Sequence, residues 1–263
     1  MKPGKQVVRE GAETIDLQEG NSRGVLLLHG FGDTPQTLRK LAVDLHAAGF
    51  DVRAPLLPGH GTSVANFLAS RRRNWLDFAR AELANMKRSR ERVALVGLSM
   101  GGALAAILAS ENPDTPALVL LAPYLDMPTI PRLAATSFWM WGGNREIKSN
   151  SPNSIRDPVE RAKNVGYGAY SRRLLFELWR LAGLARASLS RIVSPTLIMQ
   201  SRTDPRIASK VAERAYAALG TTDKKLVWME DTGHIITVDY GHEEVLKEVR
   251  EWLTARMPAA TTA

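Results

Sequence analysis

Val93-Ala94-Leu95-Val96-Gly97-Leu98-Ser99-Met100-Gly101-Gly102, running into the alanine-rich stretch from Ala103 to Ala109, decides the fold. Four apolar residues ending in glycine read as a strand buried on both faces, and the alanine-rich stretch, closing near Asn112-Pro113, reads as a helix. Between them stands G-x-S-x-G in the setting that motif requires: strand, sharp turn, helix. The serine of such a turn is strained, and the positions two before and two after it must be small so that strand and helix can approach. Ser99 is thereby presented at a helix N-terminus, where the backbone dipole favours developing negative charge. It is the candidate nucleophile.

Working outward, the same alternation repeats. Val25 to Leu28 is a short apolar run ending in His29-Gly30, again a buried strand and a turn. Thr34-Pro35 supplies a cap and a first-turn proline, and Leu38, Leu41, Val43, Leu45 and Ala48 keep a mostly helical spacing up to Gly49. Phe50 to Ala54 predicts a short strand, Pro55 to Gly61 a turn-rich connection, and Trp75 to Lys87 a helix. Downstream, Ala117 to Leu121 and Thr196 to Met199 read as strands, Ala208 to Leu219 as a helix, Lys225 to Met229 as a strand and Glu243 to Arg256 as a last helix. Strands alternating with helices imply an α/β fold, a mostly parallel central sheet flanked by helices. The alternation breaks from Tyr124 to Arg191, where helix-like pieces mix with clustered Pro, Gly, Ser and Asn. The expected organisation is a core of residues 1–123 and 192–263 with a small helical cap inserted at 124–191.

The 263 residues are 44% apolar and 24% charged, enough for one sizeable core. Cysteine is absent, which excludes disulfides, thiolate zinc sites, iron–sulfur clusters and cysteine nucleophiles. Thirty-five Lys and Arg against 27 Asp and Glu give a net charge of +8. The densest basic runs, Arg71-Arg72-Arg73 and Lys87-Arg88-Ser89-Arg90, are short and carry no interleaved aromatics, so no specific nucleic-acid partner is expected; the surface charge implies at most weak attraction to anionic membranes. No signal peptide or membrane span is legible, and the expected location is the cytoplasm.

A serine hydroxyl needs a base, and the base an orienting acid. A sheet with its nucleophile on such an elbow takes its partners in the chain order Ser, acid, His. Of five histidines, only His234 and His242 follow an acid that could serve, and His234 stands in the turn directly after the last strand. His234 is the candidate base; His242 reads as a capping residue, His46 as a helix-surface residue, and His29 and His60 as structural supports near the site. Asp204, in the loop after the strand ending at Met199, is the candidate acid, with Asp231 and Asp126 as rivals. Two backbone donors should receive the oxyanion: Met100 after the nucleophile and Phe31 in the loop after the early strand. That loop also resembles a dinucleotide-binding turn, with Asp51 about twenty residues from it. Pro35 replaces the third glycine, however, and Asp51 falls at the start of its strand.

These residues together resemble the serine α/β-hydrolases, most closely the bacterial carboxylesterase and monoacylglycerol lipase group. The likeness rests on Leu27-Leu28-His29-Gly30-Phe31-Gly32, Leu57-Pro58-Gly59-His60-Gly61-Thr62, the Ser99 elbow and Gly233-His234-Ile235-Ile236-Thr237-Val238-Asp239, over residues 20–122 and 192–256. It implies an α/β-hydrolase fold and an esterase with Ser99, Asp204 and His234 as triad, the Phe31 and Met100 amides as oxyanion donors, no metal or organic cofactor, and a cap over the site. The expected substrate is a small-molecule carboxylic ester of short to medium acyl chain, of monoacylglycerol type. Phe138, Trp139, Trp141, Phe176 and Trp179 of the cap are candidates to line its pocket. The same triad could cleave amide, thioester, lactone or carbon–carbon bonds, and such a fold can also bind a ligand without turnover.

Overall fold

A computed structural model describes residues 7–137, 143–148 and 154–259. The first half runs β1 (Ile15–Leu17), β2 (Arg23–Leu28), α1 (Arg39–Ala47), β3 (Asp51–Ala54), α2 (Val64–Ala69), α3 (Arg72–Lys87), β4 (Arg92–Leu98), α4 (Met100–Glu111) and β5 (Leu118–Leu121). Then follow α5 (Thr129–Thr136), β6 (Ile147–Lys148), α6 (Pro158–Lys163), β7 (Ala169–Tyr170) and α7 (Arg172–Ser188). The chain closes with β8 (Thr196–Ser201), α8 (Ser209–Ala218), β9 (Lys224–Met229) and α9 (His242–Arg256). Among the described residues, seven strands form one sheet in the order β1-β3-β2-β4-β5-β8-β9, parallel throughout except for the antiparallel edge strand β1.

Every residue of β2, β5 and β8 is buried, which is why each reads at its centre as an apolar run with no alternation. Side chains nevertheless alternate between two cores. Leu26, Leu28, Leu95, Leu118, Leu120 and Ile198 face α3, α4, α7 and α8, while Val25, Leu27, Val96, Val119, Leu197 and Met199 face α1 and α9. Each leucine buried this way contributes about 1.5–3 kcal/mol. In α4 every residue from Met100 to Ala109 is buried; its alanines let the helix lie close against the sheet on one side and α7 on the other.

Two short elements escaped the sequence reading: β1, three residues long, and α2, capped by Ser63 through an N–H bond from Asn66 at 3.2 Å. The expected cap at Thr34 also differs. Thr34 is extended and its hydroxyl caps nothing; Pro35–Leu38 forms a 3-10 turn before α1. Past Ala47, Gly49 adopts a left-handed φ of 81°, and the Gly49 and Phe50 amides donate to the His46 and Leu45 carbonyls at 2.9 and 3.2 Å, closing α1.

The segment between β5 and β8 divides in two. α5, α6 and the two-stranded β6-β7 ribbon belong to it, and so does α7. Yet Leu174, Leu178, Leu181, Ala185 and Leu189 join the core built on α4, so the boundary expected at residue 191 lies beyond a helix that packs as part of the main body. The basic run at 71–73 contributes here, since Arg72 pairs with the buried Glu177 of α7 at 2.5 Å.

Candidate active site

Ser99 stands between β4 and α4 with φ 55° and ψ −114°, a conformation L-residues avoid at a cost of about 1–3 kcal/mol. The surrounding structure holds it there: its N–H donates to the Leu121 carbonyl at 2.9 Å, and its own carbonyl accepts from Tyr124 at 2.9 Å. The flanking glycines are required by contact. A Cβ on Gly97 would lie 2.2 Å from the Gly101 carbonyl oxygen, and one on Gly101 would lie 1.9 Å from that of Leu28.

The chain brings Ser99, His234 and Asp204 together from three loops. His234 Nε2 lies 2.8 Å from Ser99 Oγ, and Nδ1 lies 2.7 Å from Asp204 Oδ2. Because a carboxylate only accepts, Nδ1 carries the proton and Nε2 is left to accept from the serine hydroxyl. The Asp204 side chain is fully buried. Burial pushes its pKa up, but the facing imidazole and the amides of Arg206 and Ile207, at 2.7 and 3.1 Å, outweigh this and hold it below the usual carboxylate range. Gln200 Nε2 donates to Oδ2 at 2.8 Å, fixing the acid's rotamer. The rival acids stand elsewhere: Asp231 is exposed, and Asp126 pairs with Arg186 at 3.1 Å.

The loop carrying His234 is clamped on both sides. Ser154 accepts at its carbonyl from the amides of His234 and Ile235, both at 2.9 Å. The fully buried Asp239 accepts from Gly233 at 2.7 Å, Tyr240 at 2.9 Å, Arg156 at 2.8 Å and Asp157 at 2.9 Å. One carboxylate thus ties the His234 turn to the segment that leads into α6. His242 donates from Nδ1 to the Asp239 carbonyl at 3.0 Å and begins α9, and His46 on α1 reaches the Phe50 carbonyl at 3.1 Å.

Two further histidines shape the loop after β2. His29 Nε2 accepts from the Leu57 amide at 3.0 Å, and His60 Nε2 accepts from the Gly32 amide at 3.2 Å. Their Nδ1 atoms face the Gly30 and Pro58 carbonyls at 3.0 and 3.2 Å, so both rings are neutral with the proton on Nδ1. Burial lowers both pKa values, that of His60 to about 4 and that of His29 well below its usual range with the neighbouring His60 adding to the effect. The Phe31 amide between them has no acceptor among the described residues, and its ring packs on Phe67 at 5.0 Å. Next to Ser99, Met100 is the first residue of α4, whose amide has no acceptor within its helix. The dinucleotide alternative finds no support: Asp51 accepts from Glu19 and Gly20 amides and from Arg90, at the start of its strand.

A cavity of about 570 Å³ opens on Ser99 and His234. Its wall includes Tyr124, Pro128, Pro131, Tyr167, Leu175 and Leu178. Of the expected lining aromatics, Phe176 and Trp179 do not face it; they meet each other at 5.6 Å and pack on the α4 core. Leu175 and Leu178, three residues apart and so on one helix face, take that place. Phe138, Trp139 and Trp141 lie outside the described residues. Tyr124 and Arg206 were missed, although both stand in loops that follow strands, at the sheet end where α/β sites form. Among the described residues, no three His, Asp or Glu side chains gather in reach of one metal ion, and no helix is long and apolar enough to cross a membrane.

Residues 20–240 match the family described as Serine aminopeptidase, S33 (Hydrolase_4). The chain is 29% identical over 247 residues to a thermostable monoacylglycerol lipase of Bacillus sp. strain H-257, covering 93% of this chain and 95% of that one. It is 27% identical to a carboxylesterase of Bacillus subtilis strain 168, over 89% of this chain and 94% of that one. Among solved structures, one from work on the metagenome-derived lipolytic enzymes LipS and LipT superimposes with a TM-score of 0.86 at 28% identity, over 95% of this chain and 100% of that one. A match running across both sheet halves and every loop that carries Ser99, Asp204 and His234 makes the chain a member of this serine-hydrolase family, with the α/β-hydrolase fold.

Proposed function

We propose that the protein hydrolyses carboxylic esters of monoacylglycerol type, with short to medium acyl chains, through an acyl-enzyme on Ser99. The observation that carries this reading is the unbroken relay Asp204–His234–Ser99, at 2.7 and 2.8 Å, at the floor of a partly apolar cavity. His234 Nε2 takes the Ser99 proton as Oγ bonds to the carbonyl carbon, and Asp204 stabilises the imidazolium that forms. The carbonyl oxygen becomes an oxyanion, for which the Phe31 and Met100 amides are the donors at hand. As the C–O bond breaks, His234 passes its proton to the leaving alcohol. Water then enters, gives a proton to His234 and its oxygen to the acyl carbon, and the carboxylic acid leaves as Ser99 recovers its proton. Relatives of matching length, one named a monoacylglycerol lipase and one a carboxylesterase, support the ester over other bonds. Tyr124, Pro128, Pro131, Tyr167 and Tyr170, which wall the cavity from the segment between β5 and α7, support a cap over the site.

Initial rates on a chain-length series of p-nitrophenyl esters and monoacylglycerols, for wild type beside Ser99→Ala, test the reading. Turnover should peak at one chain length and fall by about 10⁴-fold or more in the variant. Folded protein that turns over no ester would sink it and move attention to amides or to binding without turnover.

A further inference from the structure

The catalytic cavity holds two donors that ester cleavage does not use. Tyr124 stands three residues past the end of β5 and is tied to Ser99 through its amide at 2.9 Å. Its ring lines the cavity, and its hydroxyl has no hydrogen-bond partner among the described residues. A tyrosine drawn into a wall normally finds one. Arg206 comes from the acid's loop: its amide donates to Asp204 at 2.7 Å and its Nε to Ser154 Oγ at 2.9 Å. Its two terminal nitrogens have no acceptor, and no carboxylate reaches them within ion-pair distance among the described residues. Burial pushes the Tyr124 phenol up while the Arg206 charge pulls it down, so guanidinium and phenol share one electrostatic neighbourhood. Asp126, two residues from Tyr124, is committed to Arg186. Asp33, the acid on the cavity wall, is 6% exposed and accepts from Thr37 Oγ1 at 2.6 Å.

We infer that Tyr124 and Arg206 form an anion-binding subsite of the catalytic cavity, so that the preferred ester carries a carboxylate or phosphate besides its scissile bond. This rests on the ester reading above. A guanidinium fork and a phenolic O–H lining one cavity match the oxygens of such a group, and these charge-assisted bonds are about twice as strong as neutral ones. Arg161, on the same wall, adds positive charge. A neutral alkyl ester leaves both donors unpaired as it displaces water, which selects against it.

The anion could sit on the acyl or the alcohol side, and two matched pairs separate them: monomethyl adipate against methyl hexanoate, and an acylglycerol phosphate against the same monoacylglycerol. Wild type should favour the charged member of one pair by about tenfold or more in kcat/KM. Arg206→Met should abolish that ratio, and Tyr124→Phe, which removes one oxygen, should reduce it. Reading the ratio within each variant cancels any general loss through the Arg206 hold on Ser154. Turnover of neutral esters with ratios near one in wild type, or a ratio unmoved by Arg206→Met, overturns the subsite and leaves the ester reading standing. If no ester is cleaved, that reading fails first, and calorimetry of adipate with Ser99→Ala decides the subsite: saturable binding lost on Arg206→Met supports it, and no binding overturns it.

Discussion

The floor of the site and its roof are built on different principles. In the floor, loops that follow β2, β4, β8 and β9 are held by backbone contacts and buried polar groups: glycines with no room for a methyl, His29 and His60 accepting loop amides, Asp239 collecting four. The roof, among the described residues between Tyr124 and Tyr170, has an eight-residue helix, a six-residue helix and a ribbon of two two-residue strands, with Leu133 and Val159 facing solvent. Strict geometry at the floor holds Ser99, His234 and Asp204 in register, while the roof leaves apolar side chains in solvent.

The largest effect separating the two belongs to Gly101→Ala. Its Cβ would meet backbone atoms of Leu28 and His29 at 1.9 to 2.8 Å, and backbone cannot rotate away. A loss of about 4 kcal/mol or more is expected, enough to lower the melting temperature by roughly 8–16 °C and to abolish activity. Unchanged melting would show that strand and helix do not approach as described.

Asp239→Asn comes next. The amide presents N–H₂ where amides of the His234 loop and of residues 156 and 157 now donate, so at least one side of the clamp opens. Displacement of the base by about 1 Å costs on the order of 100-fold, so kcat should fall 10- to 100-fold with KM little moved. A matching change in KM with constant kcat would place Asp239 with the roof instead.

The reach of sequence reading follows the same division. Ser99, His234 and Asp204 were legible because elbow, terminal turn and post-strand loop each impose a local spelling, and spelling follows backbone constraint. The sheet was legible because buried parallel strands are unbroken apolar runs. The roof gave only composition: Phe176 and Trp179 share a helix with Leu175 and Leu178, and aromatic content alone does not tell which face meets the cavity. Tyr124 and Arg206 were obscured for another reason, since neither belongs to a motif and only the meeting of two loops gives them a common function.

Acid titration reaches the floor through its buried groups. His60 titrates near 4 in the fold and near 6.5 when exposed, so the unfolded chain takes up its proton first and stability falls as pH drops from 6.5 to 4. That is worth about 3 kcal/mol for His60, and His29, also lowered, adds in the same direction. Asp33 opposes them: burial raises it from 3.8 to about 6, so its ionisation costs stability as pH rises through that window. Melting temperature should therefore decline from pH 6.5 to 4 in wild type and decline more steeply in Asp33→Asn, where the opposing group is gone. A shallower slope in the variant would mean that the carboxyl is not held neutral by burial.

The smallest effect is a gain. Gly183 lies within α7, and a Cβ there meets nothing within 4 Å. Glycine in a helix interior costs about 0.5–1 kcal/mol relative to alanine through the freedom lost on folding. Gly183→Ala should therefore raise the melting temperature by roughly 1–4 °C with kcat/KM unchanged. The same substitution that breaks the elbow at Gly101 strengthens α7, because a glycine within a helix is indispensable only where another backbone occupies the space of its missing side chain. A destabilised Gly183→Ala protein would mean that α7 bends at Gly183 or meets a neighbour there, and that its packing against α4 depends on the missing methyl.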